Sequence, residues 1–196
     1  MDTITLLDRA HAWSAGHIAA ISQQHLAAPT PCPPWNLREL LHHLMQILLV
    51  ISNAAEGRPI DASWRDNDGK APAVDALGKS PIAAFETMTT RLATAWRKPG
   101  ALDQTCQLSF GAVPAMVVTD IQLLEVVVHG WDISHAIGRT AVIPDDLAAA
   151  VHAFAQGPVI EGKRGTAFAA PQEIAETASA SDRLLAFLGR RLARRA

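Results

Sequence analysis

Residues 121–133 read Ile121-Gln-Leu-Leu-Glu-Val-Val-Val-His-Gly-Trp-Asp-Ile133. The run is apolar on nearly every side of a 3.6-residue helix, so a helix formed from it is buried among other elements. Four polar side chains interrupt it, Gln122, Glu125, His129 and Asp132, at spacings of three, four and three. At about 100° per residue these fall within roughly an 80° stripe. A buried carboxylate is costly unless it is paired or bound to a metal. Glu125 and His129, at i and i+4, project side by side, the spacing at which one helix offers two metal ligands. A Glu–His hydrogen bond that only steadies the core meets the same spacing, and both readings stand at this point.

Working outward, this helix is predicted from Pro114 or Thr119 to Ile137, with Gly138 at its C-terminal cap. Upstream, a first helix is predicted from Ile4 to Leu26, ending before the Pro29-Thr-Pro-Cys-Pro-Pro34 stretch that no helix interior tolerates. Asn36 followed by Glu39 is a capping-box start for a second helix. There Leu37, Leu40, Leu41, Leu44, Leu48 and Ile51 trace one apolar stripe. Glu56 to Lys79 is rich in Gly, Pro, Asp and Asn and reads as a long loop, a candidate lid. Ser80-Pro81 opens a third helix to Trp96, and Lys98-Pro99-Gly100 ends it. Residues 103–113 alternate loosely, as a short extended piece or hairpin does. Asp145–Ala155 reads as a shorter helix, and Ser181 as the cap of a last one. Four long helices with short extras make an all-α protein, a four-helix bundle. The expected division is a metal-binding bundle over residues 1–140 and a short helical C-terminal extension over 141–196, packed on the same domain.

The bulk numbers agree with one ordinary globular unit. The chain has 196 residues, 49% of them hydrophobic, with no tyrosine. Seventeen basic and 19 acidic side chains leave a net charge of −2, which argues against a nucleic-acid or anionic-membrane partner. The basic cluster Arg190, Arg191, Arg194 and Arg195 reads as a solvated helix end. Cys32 and Cys106 make no disulfide framework. No charged leader precedes an apolar core and no apolar run approaches the roughly 20 residues of a membrane span, so a cytoplasmic protein is expected.

The second helix supplies a third candidate ligand. His42 and His43 point about 100° apart. Relative to the leucine stripe His43 lies at the flank, looking into the bundle, and His42 lies nearly opposite, in solvent. His43, Glu125 and His129 would leave one coordination position open, the pattern of a catalytic rather than a structural zinc site. Asp132, one turn beyond His129, would orient a ligand imidazole from behind. His11, His17, His25, His135 and His152 read as surface or partly buried residues, His17 being the one whose helix must face the same core. Phosphate loops of the Walker or Rossmann type are missing, and so is CxxC. Cys32 reads as a small buried hydrophobe, with a reactive thiol as the alternative.

Two stretches resemble a known family. Thr30-Pro-Cys-Pro-Pro-Trp-Asn-Leu-Arg-Glu-Leu-Leu-His-His-Leu44 resembles a signature with a Pro-Cys-Pro-Gly-Trp loop, a helix start and a His-Leu. Glu125-Val-Val-Val-His-Gly-Trp-Asp132 resembles its second motif, Glu-x-x-x-His-Gly-Trp-Asp. The family is the DinB-like superfamily, in the branch around the metal-binding domain of mycothiol-dependent maleylpyruvate isomerases. Ser181-Asp-Arg-Leu-Leu-Ala-Phe-Leu-Gly-Arg190 resembles the close of its short stand-alone members. The resemblance implies a four-helix bundle holding a metal through a second-helix histidine, falling on His43, and a fourth-helix Glu and His, falling on Glu125 and His129. The chain departs in having Pro34 where the family usually has Gly. It also has only residues 133–196 beyond the second motif, where the isomerases carry a further C-terminal domain.

Three functional expectations follow. The first is a thiol-dependent transferase or isomerase in which a divalent ion, zinc or else nickel, activates the thiolate of mycothiol or a similar small thiol toward an electrophilic substrate. Hydrolysis by a metal-activated water is its variant. The second is a non-catalytic metal-containing binding or stress-response module, with a homodimer packed through its helices as the matching assembly. The third keeps the polar stripe as a hydrogen-bond network without metal. Arg38, Arg58, Arg65 and the 56–79 loop could grip a thiol's polar parts, or could simply be solvated surface.

Overall fold

The computed structural model describes residues 1–58, 77–78 and 80–192. The chain divides into two compact units, Met1–Arg139 and Thr140–Ala196. The first contains α1 (Thr3–Ile18), α2 (Leu37–Ala55), α3 (Pro81–Trp96), the strands β1 (Thr105–Leu108) and β2 (Gly111–Pro114), and α4 (Ala115–Ala136). The second contains α5 (Asp145–Ala155), α6 (Pro158–Glu161) and α7 (Ala180–Phe187). The protein is all-α, with one short antiparallel hairpin pairing Thr105 with Pro114 and Leu108 with Gly111. No helix among the described residues is long and apolar enough to cross a membrane.

Local chemistry sets the helix ends. Asn36 Oδ1 accepts from the Glu39 N–H (3.0 Å) and Glu39 Oε2 accepts from the Asn36 N–H (2.8 Å), the reciprocal cap its spacing predicts. Ser80 Oγ accepts from the Ala83 N–H ahead of Pro81. α1 stops at Ile18, eight residues short of the expected Leu26. The chain re-forms as a 3-10 turn, Gln23–His25, after Ser22, whose N–H donates to His25 Nδ1 (3.1 Å). A side chain that bonds nearby backbone offers an alternative to helix continuation. Of the expected 56–79 loop, residues 59–76 and 79 lie outside the described residues, and the lid reading with them.

Contacts along the helices give their directions. His11 meets Gln122, and Ser14 Oγ donates to the Val126 carbonyl (2.8 Å), so α1 and α4 run parallel. Ser52 meets Met88, Arg91 binds Glu56, and Gln104 just past α3 donates to the Ala55 carbonyl, so α2 and α3 run parallel as well. Asp8, near the start of α1, pairs with Arg97 at the end of α3, so those two are antiparallel. The order is up-down-down-up.

α4 is buried along almost its whole course, as its sequence demands. It packs tightly on α1 at Gly130, where an added Cβ would lie 2.4 Å from Ser14 Oγ and 2.8 Å from the Trp13 ring. α2 departs from expectation at His42, which is buried rather than solvated. The helix is covered by α3, α4 and β1, so its buried surface is wider than one leucine stripe. In the second unit, Ser179 rather than Ser181 caps α7, through the Asp182 N–H (3.0 Å). Ser181 lies inside the helix on its buried side, where its Oγ accepts from the Ile143 N–H (3.1 Å). Arg190 is likewise buried, so the basic tail is not solvated throughout.

Gln122 Nε2 donates to His11 Nε2 (2.9 Å), which requires an unprotonated acceptor on the imidazole. Burial lowers the His11 pKa to about 4, with Asp8 opposing and Arg97 assisting. The unfolded chain binds this proton at about 6.5 and the folded chain does not, so stability is retained above about pH 6.5 and lost as pH falls toward 4. The full loss is about 3 kcal/mol. Urea denaturation at pH 7.5 and pH 5 should show a smaller pH-dependent loss for His11→Gln than for the wild type. Equal losses would remove His11 as the cause.

Candidate metal centre

His43 comes from the second turn of α2, and Glu125 and His129 from successive turns of α4. His43 Nε2 lies 3.3 Å and His129 Nε2 3.1 Å from the same carboxylate oxygen, Glu125 Oε2. The three ligand-type atoms all lie within 4.8 Å of one another. The rings of His43 and His129 meet edge to face, centroids 5.2 Å apart. Behind the trio, His129 Nδ1 contacts Asp132 Oδ2 at 3.0 Å, and Asp132 is fully buried. That contact places a proton on Nδ1 and aims Nε2 at the common point.

Two edges of the trio, both to Glu125, suit a divalent cation. Ligand atoms around tetrahedral zinc, with bonds of about 2.0–2.2 Å, lie about 3.3–3.6 Å apart. The two contacts to Glu125 are close to that edge. Without a cation the same groups hold protons between them. Burial alone would raise the Glu125 pKa, but hydrogen bonds and positive charge from His129 and His43 outweigh it and hold the carboxylate well below its ordinary range. Burial alone would lower the His129 pKa, but Asp132 and Glu125 push it up to about 9.

Exposure is graded across the site. The His43 side chain is 30% exposed, Glu125 17% and His129 8%, so the site opens on the His43 side.

Other residues singled out by sequence lie elsewhere. Gln122 belongs to a structural network, accepting from Trp96 Nε1–H (2.7 Å) and donating to His11. His17 packs on Trp13 at 4.6 Å, His135 stacks on Trp131, and His152 packs on Phe187. Arg58 pairs with Glu56, at the far end of α2 from His43. Arg38 is exposed, and Arg65 lies outside the described residues. Cys32 is half-buried and Cys106 buried. The side chain that sequence reasoning missed is Trp35, whose indole lies 4.5 Å from the His43 imidazole. It lies in the loop ahead of the Asn36 cap, outside the helical periodicity that places His43, so only its place in the motif marked it.

Comparison with known proteins bears on the whole arrangement. Two Mycobacterium tuberculosis proteins, "Uncharacterized protein Rv0738" and "Uncharacterized protein MT0763" from a second strain, are each 29% identical to this chain over 194 residues. Each match covers 97% of this chain and 98% of the relative. The crystal structure of the mycothiol-dependent maleylpyruvate isomerase superposes with a TM-score of 0.61, and that of a point mutant with 0.59. Both are 17% identical and match 76% of this chain, which spans 65% of theirs. At that identity the likeness shows the fold. The family model described as "Mycothiol maleylpyruvate isomerase N-terminal domain" matches residues 7–134. Since that match runs from α1 through the loop before α2 and both helices that carry the trio, the chain belongs to the mycothiol maleylpyruvate isomerase N-terminal domain family.

Proposed function

We propose that His43, Glu125 and His129 hold one divalent ion, zinc in the first instance and nickel as the alternative, and that the site serves a thiol-dependent isomerase or transferase. The observation carrying this reading is the convergence of two imidazole Nε2 atoms on one oxygen of Glu125, with Asp132 behind one of them. Membership in a family described by mycothiol chemistry supports a small thiol of the mycothiol type as cosubstrate, with an electrophilic carbon compound as its partner.

When bound, such an ion supplies the positive charge that keeps a thiol deprotonated at neutral pH. The chain's own residues do the rest. Asp132 holds a proton on His129 Nδ1, which leaves Nε2 free to donate its electron pair. Glu125 brings the single negative charge of the trio, so the site would keep a net positive charge and favour an anionic fourth partner. The exposed edge of His43 is the side from which a small thiol would enter. Two free cysteines and no disulfide among the described residues suit a reducing compartment, the cytoplasm.

A second reading is a metal-containing module without turnover, since the 17% identity to the isomerase structure speaks to fold and one fold hosts many functions. A homodimer packed through the helices would go with that reading.

Elemental analysis of purified protein, followed by titration of a cobalt-substituted sample with a small thiol, separates these readings. About one metal per chain with a thiolate-to-cobalt band is the expected result. Metal without that band would favour the module or a hydrolytic site, and no metal would leave only a buried hydrogen-bond network. His42→Ala should keep the stoichiometry at about one despite the residue's burial. Loss of metal there, with retention in His43→Ala, would exchange the two histidines.

A further inference from the structure

Trp35 touches the site but has no role in the reading above. Its indole lies against the His43 imidazole with centroids 4.5 Å apart and planes inclined by 34°. The loop that carries it is closed on itself. Pro29 and Asn36 pair across its neck. The Thr30 N–H (3.3 Å) and the Thr30 hydroxyl (2.7 Å) both donate to the Trp35 carbonyl, and the Trp35 N–H donates to the Cys32 carbonyl (3.1 Å). Asn36 then caps α2. The backbone on both sides of Trp35 is thus fixed relative to the first turn of the helix that carries His43.

The two imidazoles of the site are held by different means. His129 has the buried carboxylate of Asp132 on its Nδ1. His43 makes one hydrogen bond among the described residues, through Nε2 to Glu125. Its remaining ring contacts are Trp35 and the ring of His129. The ring torsion of histidine is broad, and a half-exposed imidazole with a single hydrogen bond is free to turn Nε2 away.

We propose that Trp35 is the positioning residue of His43. The indole, set by the 29–36 loop, walls the imidazole so that Nε2 stays aimed at Glu125 Oε2. This tilted ring contact does for His43 what the hydrogen bond donated to Asp132 does for His129. The inference rests on the metal reading above. Loss of an outer partner of a ligand weakens metal binding about 10–100-fold without removing a donor, so stoichiometry survives and affinity does not.

The test titrates the wild type, Trp35→Phe, Trp35→Leu and Trp35→Ala with Co2+ and then Zn2+ against a chromophoric chelator, with circular dichroism on each. Phenylalanine keeps a flat aromatic face, whereas leucine keeps apolar bulk only. Expected are near wild-type affinity for Trp35→Phe, a loss of about 10–100-fold for Trp35→Leu and Trp35→Ala, and a changed cobalt d–d band in those two. If Trp35→Ala does not fold, the comparison of Phe with Leu carries the test. Trp35→Leu binding Co2+ as tightly as the wild type overturns the role of Trp35 and leaves the metal site standing. No binding by the wild type overturns both.

Discussion

Replacing His129 by alanine is expected to abolish the proposed stoichiometric metal binding while most of the helical circular dichroism survives. In the proposed set His129 would supply one of three donors, and it is held at both ring nitrogens, by Glu125 Oε2 at 3.1 Å and Asp132 Oδ2 at 3.0 Å. With it gone, two donors from two helices remain, and affinity falls by more than the about 10–100-fold that loss of an outer partner costs. The substitution also strips the buried Asp132 of its imidazole, and breaking a buried ion pair costs about 3–5 kcal/mol. His129→Gln is therefore the companion variant, since it returns a hydrogen-bond donor without restoring the imidazole. Metal content by elemental analysis is the readout. A His129→Ala protein that keeps one metal per chain would remove this residue from the ligand set.

The part of this site that follows helix geometry was legible in the sequence. Glu125 and His129 share a face because they are four residues apart, and Asp132 follows at the next turn; the structure puts all three where that periodicity predicts. The Asn36–Glu39 cap, the Ser80-Pro81 start and the 103–113 hairpin were legible for a similar reason, since each depends on neighbours in the chain. What was not legible depends on who packs against whom. One apolar stripe predicts one covered face and a solvated His42, whereas α2 is covered by two helices and a strand and His42 is buried. Gln122 shares the polar stripe with Glu125 and His129, but its partners, Trp96 and His11, arrive from other helices. Ser179 and Ser181 are both competent caps locally, and only the packing of Ile143 decides between them. Trp35 was visible as a motif letter, but its contact with His43 is created by the fold of a loop.

Gly130→Ala destabilises the bundle, against the usual sense of that substitution. In an exposed helix interior, alanine is favoured over glycine by about 1 kcal/mol, because glycine loses more backbone freedom on folding. Here the new methyl group would lie 2.4 Å from Ser14 Oγ, 3.1 Å from Ser14 Cβ and 2.8 Å from the Trp13 ring. Ser14 cannot swing aside cheaply, since it is buried and its hydroxyl is committed to the Val126 carbonyl at 2.8 Å. Breaking that bond leaves the buried Ser14 hydroxyl without its acceptor, which costs about 1–3 kcal/mol, and moving α1 away instead opens the α1–α4 contact. Either route outweighs the intrinsic gain, so a net loss of about 1–3 kcal/mol is expected for alanine and more for valine. Ser14→Ala in the same chain removes the shortest contact but not the Trp13 one, so it should recover only part of the loss. The urea midpoint is the measurement, and a Gly130→Ala protein at least as stable as the wild type would mean that α1 lies farther from α4 than described. His129 and Gly130 are consecutive but face different neighbours, His129 toward His43 of α2 and Gly130 toward Ser14 of α1. Folded Gly130→Ala should therefore keep its metal while His129→Ala loses it, which separates the chemistry of this helix from its packing.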